Sequence, residues 1–329
     1  MTATITSIAH YTPPDVYSNE YFESYLDTTD EWIMARTGIK ERRILKSGAT
    51  SDLIVPAAEK CIERRGISKD DIDVILVATV TPDHFFPSTA SIVQRKMGLK
   101  NAWGFDSSAA CSGFIVALVT AASLVESGVC RNVLLCGSDK MSAITNYEDR
   151  TQAVLFGDAA GVCLIEKSDD PECGVEDHIL YMDGEGGKHL YQIGGGSYMP
   201  ASHESVDRNE HFIHQDGQAV FKAAVVGMAD VSVEIMKKNN LTAKDIAWLV
   251  PHQANMRIIT ATADRMKLDH DKVMINIDKY GNTTAATIPM CISEWYEAGK
   301  VKKGDRLVLS SFGAGFTWGS VLLRWNMNK

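Results

Sequence analysis

Apolar residues along this chain gather in short runs of strand length that alternate with longer stretches of helical spacing. IDVILVATV, at 72–80, holds the apolar run VILVA at 74–78 and predicts a buried strand. SIVQRKMG follows with helical spacing, AWGFD reads as a second strand, SGFIVALVTAASLVESG as a long helix and NVLLCGSD as a third strand. Strand and helix taking turns in this way predict an α/β fold with largely parallel strands.

The same order returns later in the chain. SKDDIDVILVATV resembles TAKDIAWLVPHQA, with Ile72 and Ile246 in equivalent places; IVQRKMGL resembles ITATADRMKL; and ESGVCRNVLLCGSD resembles EAGKVKKGDRLVLSSFG. Three matches in one order predict a duplicated unit, although any two βαβα stretches share some likeness. The duplication sets GFDSSAAC against INIDKYGN and so places Cys111 and Asn282 in corresponding turns, each after a short strand and before an apolar helix. Two symmetry-related halves would bring those turns together at their boundary. The expected division is residues 1–170 and 171–329, with a loop-rich connection or insertion at about 165–215, where GGKHLYQIGGGS and several charges show no clear periodicity.

At 329 residues and 45% apolar content, the chain can fill a core in one large domain or two. Its 42 acidic residues against 33 basic, a net charge of −9, exclude a general nucleic-acid binder, which needs basic excess to meet phosphate. Any anionic ligand must therefore meet a local basic patch. The seven cysteines are scattered, odd in number and without a C-x-x-C pair, which fits neither a disulfide framework nor a zinc site; a reducing cytoplasm suits them. No basic segment with a following apolar run opens the chain, and no stretch reaches ~18 uninterrupted apolar residues, so a soluble cytoplasmic protein without a membrane anchor is expected.

Three polar groups stand out against this apolar pattern. Cys111, in DSSAACSGF, precedes the long apolar helix, where the macrodipole and free N–H groups favour a thiolate; a cysteine among alanines is equally a small buried apolar residue. His252, in LVPHQANMR, follows an apolar strand, at the end where α/β proteins place ligand-binding groups. Asn282, in KYGNTTAATIP, reads alone as ordinary turn and N-cap chemistry. LSSFGAGFTWGS, at 309–320, supplies glycines that let backbone N–H groups approach a ligand, as an oxyanion hole requires. GAGFTWG lacks the βαβ unit of a dinucleotide fingerprint, and GEGGKH lacks the spacing of a P-loop.

Taken together, DSSAACSGF, VPHQANMRI, YGNTTAA and FGAGFTWGS, in that order, resemble the β-ketoacyl-[acyl-carrier-protein] synthase III family. The resemblance extends to TTDEWIMARTGIKERR near the start and to DRTQAVLFGDAAG at 149–161, and so spans nearly the whole chain. It implies a thiolase-like fold, two βαβαβαββ halves stacked as α-β-α-β-α layers, and a homodimer. The implied reaction is the first condensation of type II fatty-acid synthesis, in which an acyl-CoA primer, acetyl or short branched, and malonyl-acyl carrier protein give a β-ketoacyl-carrier protein, CO2 and CoA. No cofactor or metal is implied, the CoA thioester being a substrate.

The resemblance also implies roles. Cys111 would attack the primer thioester, with backbone N–H groups of Cys111 and Ala314 as oxyanion hole; His252 and Asn282 would hydrogen-bond the malonyl thioester oxygen as CO2 leaves. Trp32, Arg36 and Arg150 would bind CoA, Lys222 and Arg257 would meet the acidic carrier protein, and Phe86 would close the acyl pocket of the partner subunit. The family's FGGGF turn is FGAGF here, which keeps the backbone donor at Ala314, and the segment 188–204 is longer than in shorter members. Two alternatives share some of these motifs: an acyltransferase of secondary metabolism, and a non-catalytic partner that binds the carrier protein, against which the intact Cys111, His252 and Asn282 count.

Overall fold

The computed structural model describes residues 2–328, built on two mixed sheets. The first contains β1 (Ala3–Tyr11), β2 (Val74–Ala78), β3 (Trp103–Ser107), β4 (Val133–Lys140) and β5 (Asp158–Lys167), in the order β1-β5-β4-β2-β3. The second contains β6 (Gly174–Met182), β7 (Trp248–Pro251), β8 (Arg306–Gly313) and β9 (Thr317–Arg324), in the order β7-β8-β9-β6. A parallel bridge from Leu249 to Val273 adds a fifth position beside β7, matching that of β3 beside β2. Strand order and sense therefore repeat between the sheets. In the first sheet only the β4–β2 and β2–β3 pairs are parallel; β5 runs antiparallel to both of its neighbours, β1 and β4, which corrects the expectation of largely parallel pairing.

Helices α1 (Thr50–Arg65), α2 (Thr89–Met97) and α3 (Gly113–Glu126) serve the first sheet, and α4 (Gly217–Lys238), α5 (Met256–Met266) and α6 (Thr287–Glu297) hold the same places about the second. The continuous apolar runs are explained by burial on both sheet faces. In β2, Val74, Leu76 and Ala78 pack on Phe114, Ile115 and Leu118 of α3, whereas Ile75 and Val77 pack outward on Leu53, Ala57 and Val93 of α1 and α2. β8 divides likewise, Leu307 and Leu309 turning to the α3 and α6 layer and Val308 to the outer layer of α4 and α5. Helix α3, in contact with both sheets, is apolar nearly all round because little of its surface meets solvent. These contacts stack as α1/α2, first sheet, α3/α6, second sheet, α4/α5, the five layers expected from the resemblance.

Two expectations need correction. The stretch 165–215 contains a full strand, β6, which among the described residues pairs only with β9; one side is open, so its residues are buried in alternation at best and leave a weak apolar signature. Only residues 184–215 are loop-rich, with a short hairpin of Leu190–Tyr191 and His214–Gln215 and one short helix, His203–Asp207. The correspondence of Cys111 with Asn282 is three residues out of register. The turns before α3 and α6 are both one-turn 3-10 helices, Ala110–Ser112 and Thr284–Ala286, and each opens on a residue with positive φ, Ala110 at 47° and Thr284 at 50°. Cys111 therefore matches Ala285, the shift arising from the extra helical turn Ile277–Tyr280 that precedes Asn282.

Candidate active site

A cavity of about 720 Å³ opens where the inner ends of α3 and α6 meet, and Cys111, His252, Asn282 and Ala314 all line it. Cys111 stands at the start of α3, directly after the left-handed Ala110, a conformation a non-glycine residue rarely adopts. The turn is tied to the other half of the molecule: Ser311 Oγ donates to the Cys111 carbonyl at 2.7 Å, and Ser112 Oγ donates to the Thr317 carbonyl at 2.9 Å. Gly313 packs directly against it, since a Cβ there would lie 2.8 Å from the Cys111 nitrogen and 3.0 Å from that of Ser112. Glycine at 313 is thus a requirement of close approach.

Burial pushes the Cys111 thiol up to about 12, and the Asp139 charge adds to that effect. This reverses the expectation of a lowered pKa. A helix N-terminus contributes at most ~2 kcal/mol, about 1.5 pKa units, and desolvation outweighs it at this half-buried sulfur.

His252 follows β7 and is fully buried, which pushes its imidazole down to about 3 and keeps it neutral. Its Nδ1 lies 2.8 Å from Thr287 Oγ1, which in turn lies 2.9 Å from the Thr284 carbonyl, while Nε2 is buried without a partner among the described residues. The threonine hydroxyl has one proton. Donated to the carbonyl, it leaves Nδ1 to carry the ring hydrogen and Nε2 a bare lone pair; turned to Nδ1, it places the ring hydrogen on Nε2 as a donor. Gln253 steadies the neighbouring segment, donating to the carbonyls of Pro251 and Met274 and accepting from the N–H groups of Asn276 and Ile277.

Asn282 is held from both sides by backbone, its N–H donating to the Leu155 carbonyl at 2.9 Å and its carbonyl accepting from Gly157 at 3.1 Å. Its side-chain oxygen accepts from the Thr284 N–H at 2.9 Å. That bond settles the orientation of the amide and leaves its NH2 group, a donor, for the cavity.

Trp32 and Arg36, on the short helix Asp30–Thr37, stand at the cavity mouth. The Arg36 and Arg150 guanidiniums lie 5.8 and 5.3 Å from the Trp32 ring centroid, and Arg150 also donates to the Asp27 carbonyl at 2.6 Å. Asn255, the N-cap of α5, donates to the Arg36 carbonyl at 2.8 Å and so fixes that helix against the site. Arg257 lines the mouth and stacks on Phe221 at 4.6 Å; Lys222, next along α4, is exposed beside them. Leu190, Tyr191 and Gln192 bring the segment 188–204 to the cavity wall. Phe86 is not brought to this cavity: it is 87% exposed, beside Phe85 at 81%, on the loop after β2. That loop lines a second cavity of about 610 Å³, which shares Val80, Ile144 and Gln192 with the first.

Sequence reasoning missed Thr287, Thr284 and Asp139. The first two lie within the NTTAAT run that also holds Asn282, but hydroxyls in such a run read as turn chemistry; Asp139 ends an apolar strand, where an unpaired acid gives a signal only in hindsight of its burial.

The family description "3-oxoacyl-[acyl-carrier-protein] synthase III" matches residues 105–184, and that of its C-terminal part matches residues 236–325. The β-ketoacyl-[acyl-carrier-protein] synthase III of Chlorobaculum tepidum is 58% identical over 99% of this chain and 100% of its own length. The crystal structure of the Thermus thermophilus β-ketoacyl-[acyl carrier protein] synthase III superposes with a TM-score of 0.91 at 41% identity, over 98% of this chain and 99% of that one. The priming β-ketosynthase of the R1128 polyketide biosynthetic pathway gives 0.91 at 31% identity, over 100% and 97%. By full-length similarity and by the arrangement of its cavity, this chain belongs to the β-ketoacyl-[acyl-carrier-protein] synthase III family.

Proposed function

We propose that Cys111, His252 and Asn282 divide between them the two half-reactions of an initiating condensing enzyme of fatty-acid synthesis. The observation that carries this reading is the convergence of the three on one cavity, with the Asn282 NH2 group and His252 Nε2 both left for a ligand. In the first half-reaction Cys111 sulfur bonds to the carbonyl carbon of an acyl-CoA primer, acetyl or short branched. The oxyanion is held by the N–H groups of Cys111 and Ala314, the bond to the CoA sulfur breaks, and the thiol proton ends on CoA. In the second, His252, with Nε2 carrying its hydrogen, and Asn282 donate to the thioester oxygen of malonyl-acyl carrier protein. The electron pair of the carboxylate bond moves onto the adjacent carbon as CO2 leaves, and the carbanion attacks the acyl-Cys111 carbonyl. Cys111 departs as thiolate and takes up a proton. No cofactor enters these steps.

Trp32, Arg36 and Arg150 serve the CoA nucleotide. At 5.3 Å, Arg150 lies closer to Trp32 than the ~7 Å that two stacked layers require, so an entering base moves it outward. Lys222 and Arg257 meet the carrier protein at the mouth, a basic patch on an acidic molecule. A homodimer is supported by the open edge of β3, where Trp103 and Phe105 are 49% and 36% exposed and stack at 6.2 Å, and by the protruding Phe86, which then closes the partner's acyl pocket. A cytoplasmic setting fits seven free cysteines, and among the described residues no helix is long and apolar enough to cross a membrane.

His252→Ala and Asn282→Ala variants are expected to take label from acyl-CoA onto Cys111 yet release CO2 from malonyl-carrier protein at least about 100-fold more slowly. Equal loss of both steps would reject this division of labour.

A further inference from the structure

A buried carboxylate outside the reacting set joins two walls of the cavity. Asp139, at the end of β4, is fully buried, and its bonded partners are neutral. One oxygen accepts from Thr79 Oγ1 at 2.9 Å, from the Val80 and Thr81 N–H groups at 2.8 and 3.2 Å, and from Thr81 Oγ1 at 3.0 Å. The other accepts from the Thr284 hydroxyl and, at 3.4 Å, from the Ala285 N–H. Burial of a charge is unfavourable and demands hydrogen bonds in compensation. Here the bonds come from both halves of the duplicated chain, from the loop that carries Val80 and from the turn that carries Asn282.

That second turn is strained. Thr284 is β-branched yet has φ 50°, and the turn is pressed onto β4 so closely that a Cβ on Gly137 would lie 2.5 Å from the Ala285 carbonyl oxygen. The Thr284 N–H is also the group that holds the Asn282 amide oxygen. An unbroken path of hydrogen bonds and one residue's backbone thus leads from Asp139, through Thr284, to the Asn282 donor.

We propose that Asp139, acting through Thr284, is a positioning residue for the decarboxylation half-reaction: its carboxylate clamps the strained turn so that the Asn282 amide keeps its NH2 group toward the malonyl thioester oxygen. The inference rests on the role given to Asn282 above. Because the same carboxylate holds the Val80 loop, it also ties that donor to the cavity wall that Val80 lines. The Thr284 hydroxyl makes no bond to Cys111, and the Asp139 charge only opposes ionisation of that thiol, so neither substitution is expected to slow acyl transfer and the two half-reactions separate their effects.

The test compares wild type with Asp139→Asn, Thr284→Val, Thr284→Ser and Asn282→Ala. Two readouts are taken: acyl transfer from acetyl-CoA to Cys111 by intact mass, and CO2 release from malonyl-carrier protein by the pre-acylated enzyme. Acylation of Cys111 doubles as the control for folding. Asp139→Asn and Thr284→Val are expected to acylate and to release CO2 about 100-fold more slowly, and Thr284→Ser to restore release close to wild type. Wild-type CO2 release by Thr284→Val, with Asn282→Ala inactive in that step, would overturn the clamp and leave the Asn282 role standing. Failure of Thr284→Ser to restore release, or equal loss of both half-reactions, would reduce the pair to a structural role and overturn the proposal. Full release by Asn282→Ala would overturn the underlying reading instead.

Discussion

At Cys111 the position proposed for the nucleophile also opposes ionisation of the thiol. The helix start and the left-handed Ala110 turn present the sulfur to the cavity, while burial and the Asp139 charge both favour the neutral form. Both effects lower the thiolate fraction, on which alkylation depends. In the unliganded enzyme, alkylation of Cys111 by iodoacetamide is expected to rise about tenfold per pH unit from pH 7 to 10, tracking the thiolate fraction below its pKa. A plateau reached below pH 8 would show that the helix terminus outweighs burial. Asp139→Asn, which removes a negative charge that opposes ionisation, should displace the profile toward lower pH. His252, neutral by burial, supplies no ionisation near its ordinary 6.5.

Among elements, the readable ones were those whose burial is simple. β2, β4 and α3 are covered on both faces, so their apolar runs stood out in IDVILVATV, NVLLCGSD and SGFIVALVTAASLVESG. β6 was hidden because its open edge and charged positions, Glu176 and Asp177 among them, dilute any periodicity. The two turns that line the cavity were legible in the sequence but their register was not: the extra helical turn Ile277–Tyr280 shifts it by three residues, and the positive φ at Ala110 and Thr284 that marks it has no sequence signal when neither residue is glycine. The same limit applies to Thr287: its bond to His252 joins residues 35 apart and depends on how α6 meets β7. Gly313, by contrast, was expected from FGAGF, and its reason is now specific. Gly313→Ala would drive a methyl group into the Cys111 turn, costing about 1–3 kcal/mol of stability, with acyl transfer falling further than the unfolded fraction explains. Denaturant unfolding measured beside the acylation rate checks this; unchanged acylation would show that the turn yields without displacing the sulfur.

For the whole molecule, the repeat is the organising fact. Equivalent helices α3 and α6 lie side by side between the sheets, and this brings the Cys111 turn to the one that carries Asn282, a meeting that the duplicated sequence predicts. What the single chain leaves exposed, the β3 edge and the Phe85–Phe86 pair, belongs to the same logic if a second copy covers both. Trp103→Glu is expected to shift the protein from dimer to monomer in sedimentation and to lower condensation with it; a wild-type oligomer in that variant would place the interface elsewhere. The most direct measurement of the central claim is intact-mass analysis of the enzyme mixed first with acetyl-CoA and then with malonyl-carrier protein. The predicted result is one acetyl group on Cys111, absent from Cys111→Ala, that is discharged on the second addition as β-ketoacyl-carrier protein and CO2. An acetyl adduct that persists in Cys111→Ala, or product formed without any adduct, would contradict the account.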